Sequence, residues 1–136
     1  MNARDILFKT SRFNLSKVGD HFINPCCFGE DLAAWLRQKL VERNIEAGQP
    51  YQEDWGWEFS VKHRSDFYFL GMGGTPDGAS KTNKDVGEWR VCVEKRRSMW
   101  QRLRGRGRIS ADDSMLMLVE QILRSESDFE DVYRED

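Results

Sequence analysis

Apolar and polar positions alternate through Glu53-Asp54-Trp55-Gly56-Trp57-Glu58-Phe59-Ser60-Val61. Trp55, Trp57, Phe59 and Val61 point one way and Gly56, Glu58 and Ser60 the other, which is the period of a half-buried β-strand. This predicts a strand over about 54–63. The turn His63-Arg64-Ser65-Asp66 leads into a second, Phe67-Tyr68-Phe69-Leu70, and a third runs from Glu88 to Glu94, with Trp89, Val91 and Val93 on one face. Residues 5–15 read as an earlier strand, with Phe13 and Leu15 as alternate apolar positions. Between the last two of the three later strands, Gly71 to Gly78 and the polar residues up to Asp85 predict a flexible hairpin connection, placed at 73–86.

Two segments follow the helical period instead. From about Gly29 to Asn44, Phe28, Leu32, Trp35, Leu36 and Leu40 fall on one face, and Glu30 and Asp31 occupy the first turn, where acids suit the helix dipole. Gly48 and Pro50 close this region. Ser110 and Asp113 make a capping-box-like start to the second helix, whose buried stripe is Met115, Leu116, Val119, Ile122 and Leu123, with Met117 opposite. Phe129, Val132 and Tyr133 punctuate an acidic tail at 126–136, as a last short strand or a docked extension. The order β-α-β-β-β-α, with that optional final β, predicts an α+β two-layer sandwich. Each helix has a single apolar stripe, so both are expected on one face of an antiparallel sheet.

Composition narrows the class. A chain of 136 residues is expected to form one domain, 1–136, and eight Phe with five Trp are too many for a solvated coil. The three cysteines, Cys26, Cys27 and Cys92, are odd in number with two adjacent, which is not a disulfide framework and suggests a reducing compartment. The sequence shows neither a signal-peptide core nor an apolar run of about 20 residues, so a cytoplasmic protein without a membrane partner is expected. The net charge of −2 hides a segregated chain. Residues 90–108 carry eight basic groups and one acid, whereas 126–136 carry six acids and one basic group.

Several segments invite a chemical reading. Gly73-Gly-Thr-Pro-Asp-Gly78 has phosphate-loop glycine spacing, but Lys81-Thr82 arrives two positions late and the loop leads to a strand, so a hairpin loop is the better account. Cys26 and Cys27 precede a helix, where a thiol pKa can fall, yet adjacent Phe28 suggests that they face the core. There is no C-x-x-C and the two histidines, His21 and His63, are far apart, so no metal site or other cofactor is expected. Trp55 and Trp57 beside Glu53, Asp54 and Glu58 have the residue types of a carbohydrate platform. In a regular strand, however, Glu58 points away from both tryptophans.

The basic segment carries more weight. Arg96, Arg97, Arg102, Arg104, Arg106 and Arg108 surround Met99, Trp100 and Leu103, a composition suited to a phosphate backbone with stacked bases or to an acidic protein partner. Its plainer account is a solvated connector pairing with the chain's own acidic tail, and overall acidity argues against general nucleic-acid binding.

Taken together, Asn24-Pro-Cys-Cys-Phe-Gly-Glu-Asp31 with Trp35-Leu36, Glu53-Asp54-Trp55-Gly56-Trp57, and Gly87-Glu88-Trp89 with Val91 and Val93 resemble a group of small bacterial proteins of unassigned function. The resemblance covers residues 13 to about 133 and implies structural motifs without a catalytic assignment. Small acidic bacterial proteins of this kind look like toxin-neutralising immunity proteins or other inhibitors, an analogy of size and class rather than of residues.

The expectation is a non-enzymatic protein-binding module of the immunity or inhibitor kind. Its partner contacts would be Arg96, Arg97, Trp100, Arg102 and Arg104, or alternatively Glu130 and Asp131. The alternatives are nucleic-acid binding through 95–108, and a small enzyme using Cys26 or Cys27, or the acids Glu53, Asp54 and Glu58. A homodimer would use Met117 or Trp100 as an apolar contact.

Overall fold

The inward half of each alternating strand meets the two helical stripes, and that meeting sets the fold. The computed structural model describes residues 3–14, 28–76, 86–96 and 109–135. In chain order these form β1 (Ala3–Thr10), α1 (Glu30–Val41), β2 (Glu46–Ala47), β3 (Tyr51–Glu53), β4 (Gly56–His63), β5 (Asp66–Pro76), β6 (Gly87–Lys95), α2 (Ser114–Arg124) and β7 (Glu130–Glu135). The strands make one antiparallel sheet in the order β2-β4-β5-β6-β1-β7, and β3 shares the β4 edge with β2. Both helices pack on one face, giving the expected two-layer α+β sandwich.

Register explains which side chains form the core. Ile6 and Phe8 of β1 stand opposite Val91 and Trp89 of β6. Val91 and Val93 face Met72 and Leu70 of β5, which in turn face Trp57 and Phe59 of β4. These residues and Val61 join Leu32, Ala33, Leu36 and Leu40 of α1 and Met115, Leu116, Val119, Ile122 and Leu123 of α2 in one buried cluster. Met117 is exposed on the far side of α2.

Three local expectations are revised, and one of two alternatives for the tail is met. The first strand ends at Thr10 rather than at residue 15; Phe13 is buried beyond it, and Leu15 lies outside the described residues. The sequence reading gave no sign of β2 and β3, which are two and three residues long, too short to show a period. The glycine-rich stretch is strand as far as Pro76, with Gly73, Gly74, Thr75 and Pro76 paired to β6, so a flexible loop does not begin at 73. Glycine is used here for space: a Cβ on Gly74 would collide with Cε3 of buried Trp89. Finally, the acidic tail forms β7 from Glu130 to Glu135 and pairs with β1.

The helix ends obey local chemistry. Asn44, at φ 61°, takes the left-handed position after α1, and the Ile45 N–H donates to Leu40 O at 3.1 Å. At α2 the cap is Asp113 alone: Oδ1 accepts from the N–H groups of Met115 (2.9 Å) and Leu116 (3.2 Å), while Ser110 Oγ bonds Asp112 instead. The other Asp113 oxygen accepts from Tyr68 OH at 2.9 Å and lies 3.5 Å from Lys95 Nζ. One carboxylate thus ties α2 to β5 and β6. Arg12 closes the opposite end of the core. Its guanidinium sits 4.5 Å over the Phe129 ring, with Nη1 2.8 Å from Glu126 and Nε 2.9 Å from Asp128.

Burial and the bond to Asp113 push the Tyr68 phenol far above its ordinary range, and burial beside Asp5 pushes the Cys92 thiol up to about 12. The unfolded chain releases these protons near 10 and about 8.5 respectively. Above those values the folded state holds more protons than the unfolded state, so stability falls as pH rises. Urea midpoints are expected to decline steadily above about pH 9. Tyr68→Phe should lower the neutral plateau and flatten that decline; an unchanged alkaline slope would refute the role given to Tyr68.

Candidate functional site

Alternation that sends one set of side chains inward sends the other to a face on which neither helix lies. Neighbouring strands set its rows. Leu7 of β1 stands beside Tyr133 of β7 and Arg90 of β6. The next row runs Glu135, Asp5, Cys92, Gly71, Glu58, Tyr51. Beyond it come Glu94, Phe69 and Ser60, and then Phe67 with Lys62. Four of the six large apolar side chains exposed among the described residues belong to this face: Tyr51 (42%), Trp55 (54%), Phe67 (49%) and Tyr133 (48%). The other two, Val41 and Met117, are on the helices.

Trp55 corrects the alternation reading. The strand β4 starts at Gly56, and Asp54-Trp55 forms the two-residue turn that joins it to β3 through the Glu53–Gly56 pair. A turn residue is not held by the pleat. The Trp55 indole folds onto the face opposite Trp57, with its benzo ring over Gly71: a Cβ there would collide with Cη2 and lie 2.8 Å from Cζ3. Gly71 is paired with Glu58, so Trp55 and Glu58 share a face after all.

Tyr51 OH donates to Glu58 Oε1 at 3.0 Å. Burial raises the Glu58 pKa; the tyrosine bond opposes this, and the charges of Glu53 and Glu94 add to it. Burial and the bond to Glu58 push the Tyr51 phenol up to about 12. Among the described residues, the ion pairs of this face join Arg90 to Asp5 and Glu135 and involve none of Glu53, Glu58 and Glu94. The Lys62 ammonium lies 5.7 Å over Phe67. The face is therefore acidic around Trp55 and mixed around Phe67, where Lys62 stands beside Glu46 of β2 and Arg96 follows β6, its N–H donating to Phe67 O at 2.8 Å.

Of the contact residues expected from sequence, Arg96 is exposed at the Phe67 end of this face. Arg97, Trp100, Arg102 and Arg104 lie outside the described residues, as do Cys26 and Cys27. Glu130 and Asp131 are exposed at the start of β7, where Glu130 pairs with Lys9 and Asp131, at φ 54°, sits in a register shift. Charge and an irregularity are how an edge strand resists pairing with another chain. The tail acids that form ion pairs among the described residues use Arg12 and Arg90.

Cys92 borders Gly71, and burial pushes its thiol up to about 12, away from the thiolate form. Among the described residues no three His, Cys, Asp or Glu side chains are grouped to hold a metal, and no helix is long and apolar enough to cross a membrane. Sequence reasoning overlooked Tyr51 and Gly71. The available signal was a glycine two residues from the glycine pair Gly73-Gly74 in a run otherwise rich in β-formers, which marks close approach by another group. No protein-family model matches the chain, and no curated protein or solved structure matches it.

Proposed function

We propose that the chain is a protein-binding module, of the kind that blocks a partner as an inhibitor or immunity protein does, and that it docks through the face of its sheet opposite α1 and α2. The observation that carries this reading is that Tyr51, Trp55, Phe67 and Tyr133 are all exposed on that face, from the β3 edge to the β7 edge. Rigid aromatic side chains lose little conformational freedom on binding and dominate interface energetics. Their polar surroundings are acidic at one end and mixed at the other, which favours a single docking orientation. Arg96 joins this surface from the Phe67 end.

Affinity capture from cells of the source should use the wild type, a Trp55→Ser/Phe67→Ser variant, and Val41→Ser as a control on α1. A stoichiometric protein partner is expected with the wild type and the control but not with the face variant. Equal retention by all three would refute docking through this face.

A further inference from the structure

The acidic end of the face opposite α1 and α2 has a more specific chemistry than an apolar docking patch. The Trp55 indole rests on backbone at Gly71, in space that the missing Cβ leaves open, and is about half exposed. Glu58 pairs with Gly71 on one side, and the Tyr51 hydroxyl holds the Glu58 carboxyl at 3.0 Å. Glu53 follows two residues after Tyr51 on the same side of β3, and Glu94 lies on β6 across β5. Two exposed aromatic rings are thus ringed by three carboxylates that no described lysine or arginine neutralises. Of the cations of the face, Arg90 is paired with Asp5 and Glu135, and Lys62 lies over Phe67.

Building on the protein-binding reading above, we infer that this end of the face receives an arginine side chain of the partner, its guanidinium stacked on Trp55 and hydrogen-bonded to Glu58. Charge complementarity selects a cation. A neutral sugar could stack on the indole but would leave the mutual repulsion of Glu53, Glu58 and Glu94 in place. Geometry selects arginine over lysine, because a planar guanidinium can lie on a ring while presenting paired N–H donors to a carboxylate at its edge. The indole is the most favourable aromatic face for a cation, and three nearby carboxylates strengthen the attraction. Tyr51 acts as a positioning residue that holds the Glu58 oxygen beside the ring.

Amide and indole NMR titration of the full chain with a hexa-arginine peptide tests this, with hexalysine and a neutral cello-oligosaccharide as comparison probes. The Trp55 indole signal is identified as the one missing from Trp55→Phe. Hexa-arginine is expected to shift that signal and the amides of Tyr51, Glu58 and Gly71, and to bind about fivefold more tightly than hexalysine of equal charge. Glu58→Gln should weaken binding by about tenfold without lowering the thermal midpoint, because Glu58 is only half-buried and glutamine keeps an oxygen to accept from Tyr51. Glu42→Gln, which removes an exposed acid at the end of α1, should leave binding unchanged.

Equal losses from Glu58→Gln and Glu42→Gln would reduce the effect to general charge attraction and overturn the inference. Saturable binding of the oligosaccharide alone, or of no probe, would do the same. Carrying Glu58→Gln into the capture experiment separates the two levels. A partner lost with Trp55→Ser/Phe67→Ser but retained by Glu58→Gln removes the arginine site only, whereas a partner indifferent to both removes the docking face.

Discussion

Gly74→Ala is expected to destabilise the protein by about 3 kcal/mol, and Gly74→Val by more. A Cβ at Gly74 would collide with Cε3 of Trp89 and lie 2.5 Å from Cδ2 and Cζ3. Trp89 cannot retreat. It is fully buried, Phe13 meets it edge-on at 5.6 Å, and its strand is paired on both sides, with β5 and β1. Either the ring leaves its rotamer or β5 and β6 part, and close-packed interiors resist both. Gly71→Ala is the matched control. Its Cβ would meet Trp55, which is half exposed and can swing into solvent, so the expected loss is under about 1 kcal/mol. Urea denaturation of the two variants checks the contrast, with a fall in thermal midpoint of roughly 10 °C for Gly74→Ala alone. Equal losses would mean that the two glycines do not serve opposite faces in the manner described.

Asp113→Ala is expected to cost about 3 kcal/mol, for two separable reasons. It removes the cap on the N–H groups of Met115 and Leu116, worth about 1 kcal/mol, and it leaves the buried Tyr68 hydroxyl without its acceptor, worth about 1–3 kcal/mol. Lys95, at 3.5 Å, retains Asp66 at the same distance, so its ammonium keeps a partner. Asp113→Asn preserves an oxygen for the helix amides and should lose about half as much. Combined with Tyr68→Phe, Asp113→Ala should be less than additive, since a phenylalanine has no hydroxyl to strand. Additive losses by urea titration would refute the coupling between α2 and β5.

The inner face was legible because its signal is local. Trp57, Phe59 and Val61, then Trp89, Val91 and Val93, alternate within single strands, and Leu32, Leu36 and Leu40 repeat within one helix. Strand adjacency was not legible, since nothing near Ile6 reveals that its neighbours are Val91 and Arg134. The glycine run misled because Gly signals flexibility locally, whereas Gly71 and Gly74 make room for tryptophan rings on opposite sides of the sheet. Trp55 misled because the alternation was carried one residue into a turn, which set Trp55 and Glu58 apart when they share a face. The candidate site depends on those two points, so the sequence supplied its residue types without its geometry. Of the basic segment, only Arg96 could be placed beside that face.

The position of β1 has a consequence for how the molecule is made. Its two neighbours are residues 87–95 and 130–135, so β1, fifth in the sheet, leaves the ribosome long before either strand that flanks it. Ile6 and Phe8 have no strand to lie against until β6 has been synthesised, and the second edge of β1 is covered only when β7 emerges. Pairings of such long sequence separation are slow to close and leave an apolar strand exposed while the chain grows. Refolding should accordingly be slower than for a helical protein of equal length, and nascent chains halted before β7 should depend on chaperones that shield β1.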